Sequence, residues 1–226
     1  MASEEPRFRS LLRDERRNRI VWAAKRVILE KGLDASSMDD VAARAGTTKP
    51  TVYAHFKSKD ELFVAVVELI RGLLLGELRS PDVYAAEPVE AVALFCGRFL
   101  ELVCWRDPIA FQRIALTAAA RSPAIAQAVY DTLFAETCLS LTAYLRTRKL
   151  TRTPEQHAEL LLSATTGGPV IRHLYGVDDP YPDLPGEEMI GARVDLKKIR
   201  AAVQLIASQW TIELEREAEG DGSECR

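Results

Sequence analysis

Apolar residues recur along this chain at spacings of three and four, the helical period, and we find no apolar/polar alternation between hairpin turns. The first helix follows the basic run at residues 13–17, carries Ile20, Ala24 and Val27 on one stripe, and ends at Gly32. Helical periodicity then continues through most of the chain. We therefore predict an all-α fold of about nine helices.

Two short helices follow the first, and each begins at a residue type that caps helices. Ser37 caps the second helix, and Asp40 stands three residues later as the acid of a capping box. Thr47 or Thr48 caps the third helix, whose first turn tolerates Pro50 because its N–H groups have no helical partner there. The two helices, joined by an Ala-Gly turn, have the dimensions of a helix-turn-helix.

The remaining helices are longer. Their predicted ranges are 58–78, 88–105, 108–121, 123–148, 154–175 and 195–217. In the helix at 88–105 the polar positions form a narrow stripe, which predicts that the rest of that helix is buried. The members of the stripe are Glu90, Gly97, Arg98 and Glu101. The segment 176–194 is rich in proline and glycine, and we predict a long loop there.

The composition is that of an ordinary globular protein, but the charge is unevenly distributed. The 226 residues are 47% hydrophobic, too apolar for global disorder, and the formal net charge is −3. Residues 1–60 hold 13 Lys and Arg against 9 Asp and Glu, whereas residues 61–226 hold 17 against 24. The overall acidity therefore does not exclude nucleic-acid binding by the basic N-terminal quarter.

Membrane, metal and catalytic signatures are missing from the sequence. Charged residues interrupt the most apolar stretch, and no secretory signal is evident at the N-terminus, so we expect a cytoplasmic protein. The four cysteines show no CxxC spacing and the three histidines lie far apart, which argues against zinc and for free thiols. We expect no metal, no cofactor and no catalytic residue.

The exposed face of the third helix carries groups that suit a DNA backbone. Its side chains are hydroxyls, ammonium groups and rings, without a carboxylate, and phosphate contacts require such donors. The residues of this face are Thr47, Thr48, Lys49, Thr51, Tyr53, His55 and Lys57. In a helix-turn-helix the second helix enters the major groove, so this face is predicted to contact DNA.

The segment from Ser37 to Leu62 resembles the DNA-binding signature of the tetracycline-repressor (TetR) family of bacterial one-component regulators. The resemblance covers residues 15–63 and includes Ala-Gly at the turn, Tyr-x-x-Phe closing the recognition helix and Lys-x-x-Leu opening the fourth helix. It implies a homodimer that binds double-stranded operator DNA through its N-terminal helices. It also implies a C-terminal helical domain that binds a small-molecule effector and dimerises through the last two helices.

The resemblance further implies a role for each matching position. Thr48 would cap the recognition helix and touch a phosphate. The residues implied to face bases are Lys49, Pro50 and Thr51. Those implied to grip the backbone are Tyr53, His55 and Lys59, with Ser37 and Arg44 assisting from the second helix. Each neutralised phosphate adds a salt-sensitive increment to the affinity.

The C-terminal half resembles, more weakly, the effector domains of AcrR/AefR-like regulators, through the run from Phe111 to Tyr130. Its helices supply aromatic and isolated polar residues that could line an apolar cavity, although each aromatic residue alone also fits a packed core. The candidate ligand residues are Phe99, Trp105, Phe111, Tyr130, Phe134, Thr166 and His173. The sequence Gly167-Gly168-Pro169 predicts a kink that makes room for a ligand or for close helix approach.

The last helix repeats apolar residues at spacings of 3, 4, 3 and 4, the pattern of helix-on-helix packing. We assign this seam to the dimer interface, and its members are Leu196, Ile199, Val203, Ile206 and Trp210.

Four segments are expected along the chain. They are a basic arm at 1–14, a helix-turn-helix domain at 15–60, a ligand-binding and dimerisation domain at 61–217, and a polar tail at 218–226. The arm is either a solvated face or an additional DNA contact. The leading hypothesis is a repressor released from a pseudo-palindromic operator by its effector. The alternatives are a protein-interaction adaptor that uses the helix-turn-helix only for packing, and an α-helical enzyme.

Overall fold

The computed structural model describes residues 5–184 and 190–220, with the side chains of residues 15–74, 76–184 and 190–210. Within these ranges the backbone is helical apart from loops and one isolated bridge between Trp105 and Tyr181, which confirms the all-α prediction. The helices are α1 (Glu5–Lys31), α2 (Met38–Arg44), α3 (Lys49–His55), α4 (Lys59–Glu77), α5 (Pro81–Tyr84), α6 (Pro88–Val103), α7 (Arg106–Ala118), α8 (Pro123–Tyr130), α9 (Glu136–Thr147), α10 (Pro154–Leu174) and α11 (Leu196–Gly220). None of these described helices is both long and apolar enough to cross a membrane.

The helices form two compact units that do not follow the linear order of the chain. The N-terminal unit contains Met1–Gly72 and Ala110–Val129, and the C-terminal unit contains Leu73–Ile109 and Tyr130–Arg226. The sequence pattern predicts a single domain boundary near residue 60. In the structure the N-terminal unit also includes a segment from the middle of the chain, the C-terminal part of α7 and most of α8.

Helix α1 begins earlier than the sequence pattern indicates. It starts at Glu5, so residues 5–14 of the expected arm belong to the helix instead of preceding it. The predicted stripe is buried at Ile20, Ala24 and Val27. The helix ends where expected, because Gly32 has a φ of +80°, a left-handed conformation that glycine adopts without a Cβ clash.

The helix-turn-helix is held by caps and by a small apolar core. Ser37 and Asp40 form the predicted capping box, in which the Asp40 N–H donates to Ser37 Oγ at 3.1 Å and the Ser37 N–H donates back to the carboxylate at 3.0 Å. Gly46 turns the chain with a φ of +63°. Val52 of α3 and the following Phe56 are fully buried. The capping box therefore fixes the start of α2, and the buried Val52 and Phe56 anchor α3.

The core of the C-terminal unit is built around α6, which is more buried than predicted. Three of the four members of the polar stripe do not face solvent, because Gly97, Arg98 and Glu101 are buried, whereas Glu90 is half-buried. Arg98 Nη2 lies 3.0 Å from a carboxylate oxygen of Glu77, and Nη1 lies 3.5 Å from Glu101. The second oxygen of Glu101 accepts the N–H of Gly191 at 2.9 Å. Ion pairing and hydrogen bonds thus make burial of this stripe possible.

Two further features of this unit differ from the predicted pattern. The single helix expected at 123–148 contains a π-helical turn at Asp131–Ala135. The loop after α10 is pinned to the end of α6, because Arg106 donates to the Tyr181 carbonyl at 2.9 Å and Tyr181 donates to the Cys104 carbonyl at 3.1 Å. Helix α11 continues to Gly220, and residues 221–226 of the predicted tail lie outside the described part.

Candidate nucleic-acid interface and effector cleft

Helix α3 presents one buried and one solvent-facing side. Val52 lies on the buried side, whereas Lys49, Pro50 and Tyr53 are exposed. Thr48 caps the helix, because its hydroxyl oxygen accepts the N–H of Thr51 at 3.4 Å and also pairs with the Thr51 hydroxyl at 2.9 Å. The other predicted contact residues of this region are exposed or half-buried, namely Ser37, Arg44, Thr47, Thr51, His55, Lys57 and Lys59.

The exposed face of α3 has a carboxylate of α2 beside it, which the sequence of α3 alone does not include. Asp39, in the first turn of α2, places an oxygen 2.7 Å from Nζ of Lys49. This hydrogen bond, reinforced by the Coulombic attraction of the same carboxylate, raises the pKa of Lys49. The sequence pattern missed Asp39 because ten positions and a turn separate it from Lys49.

Arg44 and Lys59 are both engaged within the protein. Arg44 forms a two-pronged pair with Glu30 of α1, with one contact of 2.8 Å, and this hydrogen bond raises the pKa of Arg44. Lys59 Nζ donates to the backbone carbonyls of three residues in the loop between α1 and α2, at 2.7, 3.3 and 3.2 Å, namely Leu33, Asp34 and Ser36. An ammonium group has three donors, so Lys59 holds this loop in place. A DNA contact by Lys59 would require it to release them.

The turn between α7 and α8 contacts the same loop and the start of α4. Arg121 donates to the Asp34 carboxylate at 2.7 Å, and Ser122 donates to Asp60 at 3.2 Å. Both contacts lie within the N-terminal unit. They join residues 87 and 62 positions apart in the chain, which no local sequence pattern could reveal.

The predicted effector residues do not line one common cavity. Phe134 packs against Phe99 and Tyr130, with ring centroids 6.0 and 5.9 Å apart. Phe111 belongs to the core of the N-terminal unit, where its ring lies 5.4 Å from Phe63. Phe111 therefore packs in a different unit from Phe99, Tyr130 and Phe134, and its role in ligand binding stays a prediction.

The remaining predicted effector residues contact the protein itself. The ring of His173 lies 5.4 Å from Tyr181, whose backbone pairs beside Trp105. The hydroxyl of Thr166 donates to the Leu162 carbonyl at 2.6 Å. The contacts of Tyr181 tie the loop after α10 to the rest of the C-terminal unit, whereas the Thr166 contact lies within α10.

A cleft of about 310 Å³ lies in the C-terminal unit between α6, α10 and the start of α11. Its lining residues are Leu100, Ala164, Thr165, Pro169, Arg172, Asp178, Asp195, Lys198 and Ile199. None of the seven predicted effector residues is among them. This volume is at the lower end of the range for small-molecule sites.

Charged groups of both signs line this cleft, together with a proline inside α10. Arg172 donates twice to Asp178 at 2.7 Å, and this pairing lowers the pKa of Asp178. Lys198 lies 3.4 Å from Asp195. Pro169 has no N–H, so it cannot donate to the carbonyl of Thr165 as a residue inside a helix normally does. The cleft can therefore combine apolar contacts with polar groups of both signs.

The seam on α11, which the sequence pattern assigns to the dimer interface, is largely covered within the single chain. Ile199, Val203, Ile206 and Trp210 are all buried within the chain, and Leu196 is half-buried. Leu196 Cδ2 lies 2.8 Å from the position that a Cβ on Gly97 would occupy, so α11 packs closely on α6 there. The seam does mediate helix packing, but within one chain.

Cysteines and metal ligands add no site to this picture. Among the described residues no cluster of His, Cys, Asp and Glu could hold a metal ion. Cys96, Cys104 and Cys138 are free thiols, and Cys225 lies outside the described part. Burial raises the pKa of Cys96 to about 12, which keeps this thiol protonated and unreactive at neutral pH.

A helix-turn-helix with a donor-rich recognition face, carried on a chain with a second helical unit and a cleft, defines the class of one-component DNA-binding regulators. Residues 20–66 match the family of bacterial regulatory proteins of the tetR type, and residues 90–197 match the C-terminal domain of AefR-like transcriptional repressors. The chain belongs to the TetR family.

Three relatives illustrate the extent of the similarity. The transcriptional activator FasR of Mycolicibacterium smegmatis is 48% identical over 58 residues, which are 26% of this chain and 26% of FasR. The repressor BepR of Brucella suis is 36% identical over 53 residues, 24% of this chain and 25% of BepR. The solved structure of the flavonoid-responsive regulator FrrA superposes with a TM-score of 0.69 at 26% identity, covering 87% of this chain and 97% of FrrA. The chain thus spans about a quarter of the length of the sequence relatives FasR and BepR.

Proposed function

We propose that this protein is a transcriptional repressor that binds operator DNA as a homodimer and releases it when a small molecule binds the C-terminal unit. The observation that carries the proposal is the exposed face of α3, where Lys49 and Tyr53 project from a helix anchored by Val52 and Phe56. A rigid helix presenting cationic and hydroxyl donors is the arrangement that reads a major groove.

The C-terminal match supports repression as the proposed sign of regulation. FasR is an activator, but its similarity to this chain extends over 58 residues only. The match to the AefR-like repressor domain covers residues 90–197, the part of the chain that would respond to the effector. We therefore favour repression.

The DNA-binding step is tested with the chain's own upstream DNA and a random duplex of equal length. We expect the upstream fragment to bind more tightly, with an affinity that falls as salt rises. Lys49→Ala and Tyr53→Ala should each weaken this binding about tenfold without changing thermal unfolding. Lys197→Ala, on the exposed side of α11, is the matched control. Equal affinity for both duplexes would exclude the proposal and favour the adaptor.

For the homodimer, the exposed side of α10 replaces the seam as the proposed interface. Leu160, Ile171 and Tyr175 are exposed and share one helical stripe, and Leu205 is exposed on α11. Gly168 lies on the same stripe, and a Cβ there would meet nothing within 4 Å. Glycine inside a helix costs about 1 kcal/mol relative to alanine. Because no described residue comes within 4 Å of a Cβ placed there, this glycine suits the close approach of a second copy.

Light scattering combined with size exclusion tests this interface. Tyr175→Asp should convert the dimer to a monomer, because Tyr175 is 83% exposed in the single chain and would be buried between two copies. Leu139→Asp on α9, at a residue that is 68% exposed, is the matched control and should leave the dimer intact. A dimer that resists Tyr175→Asp but dissociates with Leu139→Asp would contradict the assignment.

The proposed effector is an aromatic molecule bearing hydroxyl groups, taken by the cleft between α6, α10 and α11. FrrA is named as flavonoid-responsive, and the cleft combines apolar walls at Leu100 and Ile199 with donors and acceptors at its rim. We expect a flavonoid to raise the thermal unfolding temperature and to release operator DNA. Ile199→Trp, which fills the cleft, should abolish both effects, whereas Val83→Trp at an exposed position should abolish neither.

A further inference from the structure

Two adjacent carboxylates in the first turn of α2 have different tasks. Asp40 closes the capping box with Ser37 and pairs with Lys31 at 2.6 Å, so it serves the fold. Asp39 points instead to the recognition helix, where it lies 2.7 Å from Lys49 Nζ. The side chain of Asp39 is 63% exposed and that of Lys49 is 50% exposed. An exposed pair of this kind contributes little to stability, so the contact with Lys49 adds little to the fold beyond what a carboxylate in the first turn of α2 already contributes.

A carboxylate on this surface is unfavourable for binding phosphates. It repels the DNA backbone and competes with DNA for the ammonium group of Lys49. Its presence is useful where a base edge presents a donor. In the major groove the exocyclic amino group of cytosine is such a donor, and guanine presents the acceptors O6 and N7 beside it.

We propose that Asp39 and Lys49 together read one G·C base pair, with Lys49 donating to guanine and Asp39 accepting from the cytosine amino group. The proposal rests on the proposed function. The donor and acceptor of the protein pair are 2.7 Å apart. Guanine O6 and the cytosine amino nitrogen are hydrogen-bonded to each other, so they lie at a similar spacing of about 2.9 Å. The Asp39–Lys49 pair and the G·C pair therefore have nearly the same donor–acceptor spacing and can lie side by side.

The same arrangement rejects A·T and C·G. A T·A pair presents thymine O4 and the adenine amino group in the same order of acceptor and donor, and it differs from G·C for Lys49 in lacking the guanine N7. If adenine replaces guanine, its amino group faces the ammonium of Lys49, and the O4 of the opposing thymine faces the carboxylate of Asp39. One contact then places a donor against a donor, and the other places an acceptor against an acceptor. Reversing the pair to C·G exchanges donor and acceptor in the same way. Discrimination thus comes from repulsion in the wrong pairs as well as from attraction in the right one.

The test is selection of bound duplexes from a random pool, performed with the full-length wild type and variants. We expect the wild-type operator to contain, in each half-site, one G·C position that Asp39→Ala relaxes. At that position the preference over A·T should fall roughly tenfold, with the other positions unchanged. Glu68→Ala removes a carboxylate that is 58% exposed elsewhere in the N-terminal unit, and it should leave every position unchanged.

A second variant covers the case in which Asp39→Ala does not fold. Asp39→Asn keeps the shape of the side chain and adds a donor, so it should shift the same position from cytosine towards adenine. An unchanged profile with Asp39→Ala, or the same gain in affinity on every sequence with both Asp39→Ala and Glu68→Ala, would overturn the inference alone. Failure of the wild type to select any sequence would overturn the proposed function as well.

Discussion

The ion pairs on the helix-turn-helix are exposed to solvent, whereas the pair between Arg98 and Glu101 in the C-terminal unit is buried. On the helix-turn-helix, Arg44 pairs with Glu30 and Lys49 pairs with Asp39, and all four side chains are at least one-third exposed. In the C-terminal unit, Arg98 is 4% exposed and contacts Glu101, which is 3% exposed. The exposed pairs can exchange their carboxylate for a phosphate at little cost, since water solvates both partners. The buried pair cannot be opened without leaving a charge unsolvated.

This difference in exposure distinguishes a surface that can bind another molecule, on the helix-turn-helix, from a structural core around α6. On the helix-turn-helix, Arg44 and Lys49 each pair with an exposed carboxylate that a phosphate could replace. On α6 the charges are part of the packing that also holds Gly191 of the loop to Glu101. Variants of the exposed pairs should therefore change binding, and variants of the buried pair should change stability.

The largest effect is expected from Arg98→Met. It leaves the carboxylate of Glu101 buried beside an apolar side chain, which typically costs about 3–5 kcal/mol. The free energy of unfolding in urea measures this loss. Arg200→Met is the control, because Arg200 pairs with Glu90 at an exposed site, and it should cost less than about 1 kcal/mol.

The double variant Arg98→Met, Glu101→Leu separates charge burial from simple packing. Removing both charges should recover part of the stability lost in Arg98→Met, because no unpaired ion remains. If Arg98→Met and Arg200→Met cost the same, the distinction between the buried and the exposed pairs would be wrong.

The buried pair also shows where sequence reasoning is limited. Local sequence patterns predicted the all-α fold, a cap at Ser37 and a cap at Thr47 or Thr48, because all of these depend on neighbouring residues. The structure shows the caps at Ser37 and Thr48. Local patterns could not place Arg98 and Glu101, because their burial depends on partners distant in the chain at Glu77 and Gly191. Periodicity likewise identified the apolar seam of α11 but could not show which helix covers it.

The recognition face likewise has residues that the sequence predicted and contacts that it could not predict. Lys49 and Tyr53 were predicted from a local motif, and the structure places both on the exposed side of α3. The placement of Asp39 beside Lys49 and the three carbonyl contacts of Lys59 depend on tertiary structure. A motif identifies the residue types of a site, whereas the groups that compete for them are set by the fold.

An intermediate effect is expected when the exposed pair at Arg44 is altered. Arg44→Ala should lower operator affinity about tenfold and reduce the slope of log affinity against log salt by about one, the loss of one phosphate contact. Electrophoretic mobility shift at several salt concentrations measures both quantities. Thermal unfolding should stay nearly unchanged, because the pair is exposed.

Glu30→Gln provides the opposite perturbation. It frees Arg44 from its carboxylate partner, so operator affinity should rise a few-fold on every sequence, without a change in base preference. A large loss of stability in either variant would show that this pair is structural and would remove the contrast with Arg98.

The smallest effect concerns Asp40, the acid of the capping box. Its pKa is lowered from 3.8 to about 2, chiefly by the hydrogen bond from Lys31 and then by that from Ser37. Because the folded-state pKa lies below the unfolded value, this stabilisation is present above about pH 4 and is lost as the pH falls towards 2. Asp40→Asn should therefore lower the urea midpoint at pH 7 and have a diminishing effect as the pH falls from 4 to 2. Glu68→Gln controls for the loss of one negative charge. A difference between wild type and Asp40→Asn that stays constant across this pH range would show that the Lys31 pair contributes nothing measurable, as expected only for a fully solvated pair.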